Sequence, residues 1–373
     1  MREVKWQLFW GWGLISLVYL VGLMSQRQLY LKPIDWNELI GRYFLSQDIT
    51  NEVNGKRLFL SDSEIHQAAG YLYQHGSDPT KINFQHPPLI KYLYGYSGAG
   101  WGNAYVVQAI FGYLLLGLTV YLGYRVYQQA LIPIMAGLAL ALDPLFRVVT
   151  TELWLDLGQA VLILLYWLGL MFYPKNFWWH GLVLGCLLGS KFWGSSLFFI
   201  GLFGLVLILR HEFNLKNYLK QGLIAIWVLG IIYLPAFIYQ GGRFNLIWFQ
   251  LKLLKYWWQH SVAVSFGAAS WLFLTGKVTS WWGNLAMIRP AGWSWLWPVA
   301  LTLNLFGWTN ARRWRQPTLP SLIMIIPGLY LIYLTVQAPF IRYYLTILPF
   351  LYLGASEVIS HWIRPRTNSR ASL

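Results

Sequence analysis

"SDSEIHQAAGYLYQHGSDPTKINFQHPPLIKYLYGYS", residues 61–97, is the most polar stretch of a chain otherwise dominated by aliphatic and indole side chains. Seven of the 13 acidic residues fall between Asp35 and Asp78, and the stretch closes on His86-Pro87-Pro88-Leu89. Around it the 373-residue chain is 57% hydrophobic and only 11% charged, which is far from soluble globular composition. Apolar runs at 6–24, 102–124, 130–146, 157–174, 179–190, 193–210, 219–239, 293–309, 319–336 and 342–360 read as about ten helices crossing a hydrocarbon layer roughly 30 Å thick. The first run lacks the small-residue cleavage site of a signal peptide and reads as a retained anchor. The single cysteine, Cys186, lies inside an apolar run, so no internal disulfide forms and a packing role is expected.

The net charge of +15 would suggest nucleic acid in a soluble protein. Here its distribution gives a different reason. Arg2 and Lys5, then Arg125, Lys175, Arg210 with Lys216 and Lys220, then Arg312, Arg313 and Arg315, and finally Arg364, Arg366 and Arg370 fall on alternate connections. The positive-inside rule then puts both termini in the cytoplasm and removes nucleic acid as an expected partner. Two long segments, 25–101 and 240–292, are left on the outer face. No repeat of 20–50 residues is visible, so residues 1–361 read as one integral domain and 362–373 as a disordered cytoplasmic tail.

The outer segments have opposite chemistry. The second holds Arg243, Lys252, Lys255, Lys277 and Arg289 and no acid. Within it, "RFNLIWFQLKLLKYWWQH" (243–260) sets Phe244, Trp248, Leu251, Leu254 and Trp258 three and four residues apart, the pattern of an amphipathic helix lying in a lipid interface. Two readings stay open for its lysines: contact with anionic membrane lipid, or a phosphate site for a lipid-linked substrate. In the first segment, Ser61 and Glu64 have the spacing of a capping box before Ile65, Ala68, Ala69 and Leu72. Asp62 is not needed by that cap, and a carboxylate at the rim of a cavity can accept a proton from an attacking hydroxyl. The two prolines after His86 fix an extended entry and stop the loop before the next apolar segment. The histidines are dispersed, with only His66 and His86 near the acids. A zinc site from Asp62, Glu64, His66 and His86 is disfavoured against ordinary hydrogen bonding.

With these residues in place, the sequence resembles the GT-C membrane glycosyltransferases. It is most similar to the phospholipid carrier-dependent group of protein O-mannosyltransferases and aminoarabinose transferases. The acid-bearing helix start at 61–64, "NFQHPPLIKYL" (83–93), "ALDPLFRVVTTELWLD" (141–156), "LGSKFWG" (188–194) and "APFIRYYLTILPFLYL" (338–353) follow one another in the family's order. The resemblance implies an all-α polytopic fold with two large outer loops. It implies inverting transfer of a sugar, of hexosyltransferase type, from a polyprenyl-phosphate donor to a hydroxyl of a protein, lipid or glycan. The reaction would take place at the non-cytoplasmic face of the plasma (inner) membrane. No cofactor is required; a divalent metal is compatible but not indicated. Asp62 is the implied base, Glu64 its positioning partner and Asp156 a second carboxylate of the same cavity. His86, Lys91, Lys191, Arg342, Tyr343, Lys252 and Lys255 are the implied substrate contacts. Lys191 and Arg342 stand out as cations at helix ends, where an isolated charge is expensive.

Three departures accompany the resemblance. Asp62-Ser63-Glu64 stands where the family has Asp-Glu side by side, Gln85 where it has an acid, and Gln108 where relatives tend to carry arginine. They keep open a second reading, a non-catalytic relative serving as a subunit of a membrane complex. A transporter is disfavoured, because there is no inverted repeat and the charges gather outside the membrane.

Overall fold

In the computed structural model, which describes residues 2–49, 58–260, 265–279, 287–309 and 318–363, all ten apolar runs are helical. The basic connection at Arg312, Arg313 and Arg315 and the tail from residue 364 lie outside the described residues. The chain opens with α1 (Arg2–Ser25), followed by the short α2 (Arg27–Leu31) and α3 (Trp36–Phe44). The polar stretch forms α4 (Asp62–Gln74) and α5 (Leu89–Trp101), and α6 (Tyr105–Tyr127) follows. Next come α7 (Leu131–Leu142), α8 (Pro144–Thr150), α9 (Asp156–Phe172), α10 (Phe177–Ser190) and α11 (Gly194–Leu209). Then α12 (Leu215–Ile232) and α13 (Leu234–Tyr239) lead to α14 (Leu246–Gln259) and α15 (Ala268–Thr275). A two-stranded antiparallel ribbon, Val278–Thr279 with Met287–Ile288, precedes α16 (Leu296–Trp308) and α17 (Leu319–Leu334). A 3₁₀ turn at Ile341–Ile347 runs into α18 (Leu348–Ile363).

The protein is an all-α integral membrane protein. Among the described residues, α1 and α6 are each long and apolar enough to cross a membrane, and α7 with α8 makes a third if that pair, bent by 62°, is one span. Shorter apolar helices include α9, α10, α11, α16 and α17.

The chain divides into two compact units. The first comprises Met1–Leu20, Leu116–Phe146 and Val264–Leu373. Its α7 stops because Asp143 precedes a proline and takes an extended conformation, which the proline ring imposes on its neighbour. The Asp143 carboxylate then accepts from the freed N–H groups of Leu145 (2.7 Å) and Phe146 (3.2 Å), from Trp297 Nε1 on α16 (2.8 Å) and from the Tyr352 hydroxyl on α18 (2.5 Å). A buried acid at a chain break is thus fully satisfied and pins two further helices.

The second unit comprises Val21–Leu115 and Arg147–Ala263. Two close helix crossings organise it. Gly181, Gly185 and Gly189 fall four residues apart on α10 and face Ile224, Val228 and Ile232 of α12. A Cβ on those glycines would come within 2.5, 2.5 and 2.4 Å of them respectively. Small residues at this spacing let apolar helices close to backbone distance, where packing replaces the hydrophobic drive that lipid cannot supply. Likewise, α4 crosses α5 where Gly70 meets Gly95: a Cβ on Gly70 would lie 2.2 Å from the Lys91 carbonyl oxygen.

α14 carries its expected stripe on the exposed side, apart from Phe244. Phe244 precedes the helix and packs with Tyr233 and Phe249, and the buried face is Phe249 and Leu253. Trp248, Leu251, Leu254 and Trp258 are exposed. The helix has two apolar stripes, so the periodicity that marks one stripe does not say which one meets protein.

Candidate active site

The expected site residues, Arg342 and Tyr343 apart, belong to the second unit. At the start of α4 the expected capping box is present. The Glu64 N–H donates to Ser61 Oγ (3.3 Å), and Glu64 Oε2 accepts from the Ser61 N–H (2.9 Å) and hydroxyl (2.9 Å). Glu64 Oε1 also lies 2.8 Å from Arg42 Nη1, tying α3 to α4. Asp62 is the exposed first residue of the helix.

Ser63 turns the other way. It is buried, donates to Glu152 Oε2 (2.6 Å) and accepts from the Leu153 N–H (2.8 Å). The segment 149–155 that carries Glu152 is held from several sides. His66 Nδ1 meets the Leu153 carbonyl (2.7 Å), and the Tyr94 hydroxyl donates to that of Trp154 (3.0 Å). The Gln108 amide donates to the carbonyls of Val149 (3.1 Å), Trp154 (3.1 Å) and Glu152. Gln108 therefore has a structural task, in closing a segment whose backbone would otherwise be unsatisfied.

Asp156 and Lys191, singled out separately in the sequence, form one pair. Asp156 is the first residue of α9, Lys191 follows the last residue of α10, and the Lys191 ammonium donates to Asp156 Oδ1. Both are buried, at 2% and 7% exposure. The partial positive charge of a helix N-terminus favours the carboxylate and the negative C-terminus favours the ammonium, so the backbone supports both charges.

Lys91 is fully buried in the first turn of α5. Its ammonium donates to the Asn83 carbonyl (2.6 Å), Asn83 Oδ1 (3.0 Å) and the His86 carbonyl (2.7 Å), clamping the 83–88 loop shut. The His86 ring lies 6.1 Å from that of His66 and 5.3 Å from that of Trp257. Trp257 Nε1 donates to the Gln85 carbonyl (2.9 Å), and its ring sits 5.3 Å from Phe192, beside Lys191. α14 thus reaches this cluster through Trp257, while Lys252 and Lys255 are exposed. Asp48, not singled out in the sequence, accepts from the Tyr43 hydroxyl (2.5 Å), Asn83 Nδ2 (3.0 Å) and Gln85 Nε2 (3.4 Å). A glutamine at position 85 can donate to this carboxylate, whereas an ionised acid there would repel it.

Burial pushes the Lys91 amine down to about 7, against a smaller upward pull from Asp48. A folded-state value below the unfolded one leaves the folded chain with fewer protons between the two. The penalty is complete below about pH 7 and is relieved as pH rises toward 10.5. Unfolding of the protein in detergent should therefore show stability gained between pH 7 and 10 that Lys91→Met does not gain. Parallel pH curves for the two would refute this.

Arg342 and Tyr343 belong to the first unit. Both are half-buried on the 3₁₀ turn, with the Arg342 guanidinium 4.9 Å from the Phe340 ring. Beside them Tyr344 is fully buried, and its hydroxyl donates to the Ala269 carbonyl (2.6 Å). Among the described residues, no group of three or more His, Cys, Asp or Glu side chains is placed to hold a metal.

No family model and no curated protein matches the sequence. The structure does find relatives in form. ArnT from Cupriavidus metallidurans bound to undecaprenyl phosphate superposes with a TM-score of 0.55 at 15% identity, covering 87% of this chain and 59% of that one. Its apo form gives 0.56 at 16% identity, with the same coverage. AglB, the oligosaccharyltransferase from Archaeoglobus fulgidus in complex with an inhibitory peptide and a dolichol-phosphate, gives 0.54 at 12% identity, covering 95% of this chain and 51% of that one. The fold is GT-C. At such identities the likeness is one of fold, and this chain spans between half and three fifths of the length of those proteins.

Proposed function

We propose that this GT-C chain transfers a hexose from a polyprenyl-phosphate donor to a hydroxyl acceptor, with inversion, on the non-cytoplasmic face of the plasma (inner) membrane. Both termini then lie in the cytoplasm, and residues 1–361 act as one integral domain. The observation that supports the reading is a conjunction. Two proteins of this fold were solved with a lipid phosphate bound, and this chain gathers acids and lysines from α4, α5, α9 and α10 into one unit.

The acceptor oxygen attacks the anomeric carbon while the bond from that carbon to the phosphate oxygen breaks, and the lipid phosphate leaves with the electron pair. One carboxylate must take the acceptor's proton, and cations must meet the charge that develops on the phosphate. The carboxylates gathered at the start of α4, Asp62 on the helix and Glu152 held by Ser63, are the candidates for the first need, with Glu64 holding the helix start. The Asp156–Lys191 pair serves the second. No step requires a metal. Lys252 and Lys255, exposed on α14, are placed for a lipid phosphate or an anionic headgroup. Arg342 and Tyr343 are proposed as donor contacts on the strength of their sequence motif alone.

The test uses the full chain purified in mild detergent. Mass spectrometry of co-purified lipid should find a polyprenyl phosphate, and incubation with a short-chain polyprenyl-phosphate hexose should release hexose. Bound polyprenyl phosphate without release would favour the non-catalytic subunit. Neither binding nor release would sink the proposal.

A further inference from the structure

We infer that Glu152 is the carboxylate that takes the acceptor's proton, with Ser63 as the residue that aims it; this rests on the transferase reading above. The acids of the second unit differ in what they already hold. Asp35 caps α3, and Asp78 accepts from Thr80 and Gln240. Asp48 accepts from three side chains. Glu64 uses one oxygen on the cap and the other on Arg42, and Asp156 is paired with Lys191. The oxygens of an acid so engaged are committed to donors within the protein, which leaves little capacity to accept from a substrate.

Glu152 is different. It is half-buried, its Oε2 is held by one neutral donor, Ser63, and its Oε1 has no hydrogen bond among the described residues. The backbone behind it is immobilised by Gln108, His66, Tyr94 and Ser63, so the carboxylate is presented from a fixed segment. A general base needs this combination of one oxygen oriented and the other accessible.

A second observation sets an unpartnered polar group on the same helix face as Ser63. Gln67 lies one turn after Ser63, on the same face of α4. It is 7% exposed, and its Nε2 has no hydrogen-bond partner. The Gln108 Oε1 atom is likewise buried without a partner, although the same side chain's nitrogen serves the carbonyl of Glu152. An unpartnered donor on the helix face that carries Ser63, and an unpartnered acceptor on the side chain that holds the Glu152 carbonyl, suit a hydroxyl-bearing acceptor, whose oxygen can accept from Gln67 while its proton passes to Glu152. Ser63 therefore does the work of an acid by proxy: the carboxylate comes from a residue 89 positions away.

In the step proposed, the acceptor O–H proton moves to Glu152 Oε1 as the new bond from oxygen to the anomeric carbon forms. The phosphate departs with the electrons of the old bond, and Glu152 later returns the proton to water.

The experiment measures hexose release from short-chain polyprenyl-phosphate mannose and glucose by the full chain, with undecaprenyl phosphate binding measured in parallel. Glu152→Gln keeps an acceptor for Ser63, so the fold is retained, and thermal unfolding checks this. Release should fall about 10²–10⁴-fold, the usual contribution of a general base, with undecaprenyl phosphate affinity within about twofold. The acidic limb of the pH–rate profile should disappear with it. Ser63→Ala should lower kcat about tenfold and leave KM nearly unchanged, as loss of aim rather than of binding does. The loss at Glu152→Gln should exceed that at Asp62→Asn by at least about tenfold. The reverse order, or a Glu152→Gln enzyme that keeps the acidic limb, would overturn the role of Glu152 and leave the transferase reading intact. A wild-type chain that neither binds undecaprenyl phosphate nor releases hexose would overturn both.

Discussion

Lys191→Met should destabilise the protein by about 3–5 kcal/mol, because it leaves the buried Asp156 carboxylate without its counter-charge. The expectation follows from burial and geometry. Both groups are more than nine-tenths buried, they contact directly, and α9 and α10 meet at this point. Asp156→Leu should cost a similar amount by stranding the ammonium. The double variant, Asp156→Leu with Lys191→Met, should recover most of the loss, since a buried ion pair replaced by apolar groups of similar volume is often neutral or better. Thermal unfolding in detergent gives the stabilities, and undecaprenyl phosphate binding gives the second readout. If the pair also holds the leaving phosphate, the double variant will be stable and yet bind the lipid phosphate poorly. Recovery of both stability and binding would reduce the pair to a structural tie.

Gly70→Ala, like Gly95→Ala on the facing helix, should be among the most damaging single methyl additions in the polar stretch. Its Cβ would lie 2.2 Å from the Lys91 carbonyl oxygen and 2.8 Å from the Gly95 nitrogen. Both are backbone atoms of α5, so no side chain can swing aside and the two helices must part. Overpacking typically costs about 1–3 kcal/mol and more where relaxation is blocked. The opened crossing also pulls on the residue whose ammonium clamps the 83–88 loop, so transfer activity should fall beyond what stability explains. Gly201→Ala is the control: nothing lies within 4 Å of that Cβ, and alanine in a helix interior should be neutral or stabilising by about 0.5–1 kcal/mol. Equal stability of the Gly70 and Gly201 variants would contradict the crossing.

Much of the fold was legible from the residues. Runs of apolar side chains needed only composition to be read as helices, and the capping box at Ser61 and Glu64 is local, since its partners are three residues apart. The bend at Asp143-Pro144 falls inside the run 130–146, which reads as a single helix, although the proline that causes it is adjacent. What escaped was long-range or ambiguous. The Ser63–Glu152 bond joins positions 89 apart and the Asp156–Lys191 pair positions 35 apart, and no spacing rule links them. Asp48 looked like one acid among several because its three donors come from other turns of chain. On α14 the period was right but the facing was open: a helix with protein on one side and an apolar face on the other has two stripes of the same kind. Gln85 and Gln108 read as departures from a family pattern, yet each donates hydrogen bonds that an acid at the first, or a bulkier cation at the second, would alter.

The glycine notches of α10 impose a step size on that helix. Each of Ile224, Val228 and Ile232 occupies a gap that exists only at Gly181, Gly185 or Gly189. At about 1.5 Å of rise per residue, the next arrangement in which gaps and branched side chains coincide lies about 6 Å away. Smaller slides drive those side chains into helix backbone. Lys191, at the end of this ratchet, is therefore held at one height: α10 can rock against α12, but it cannot creep along it.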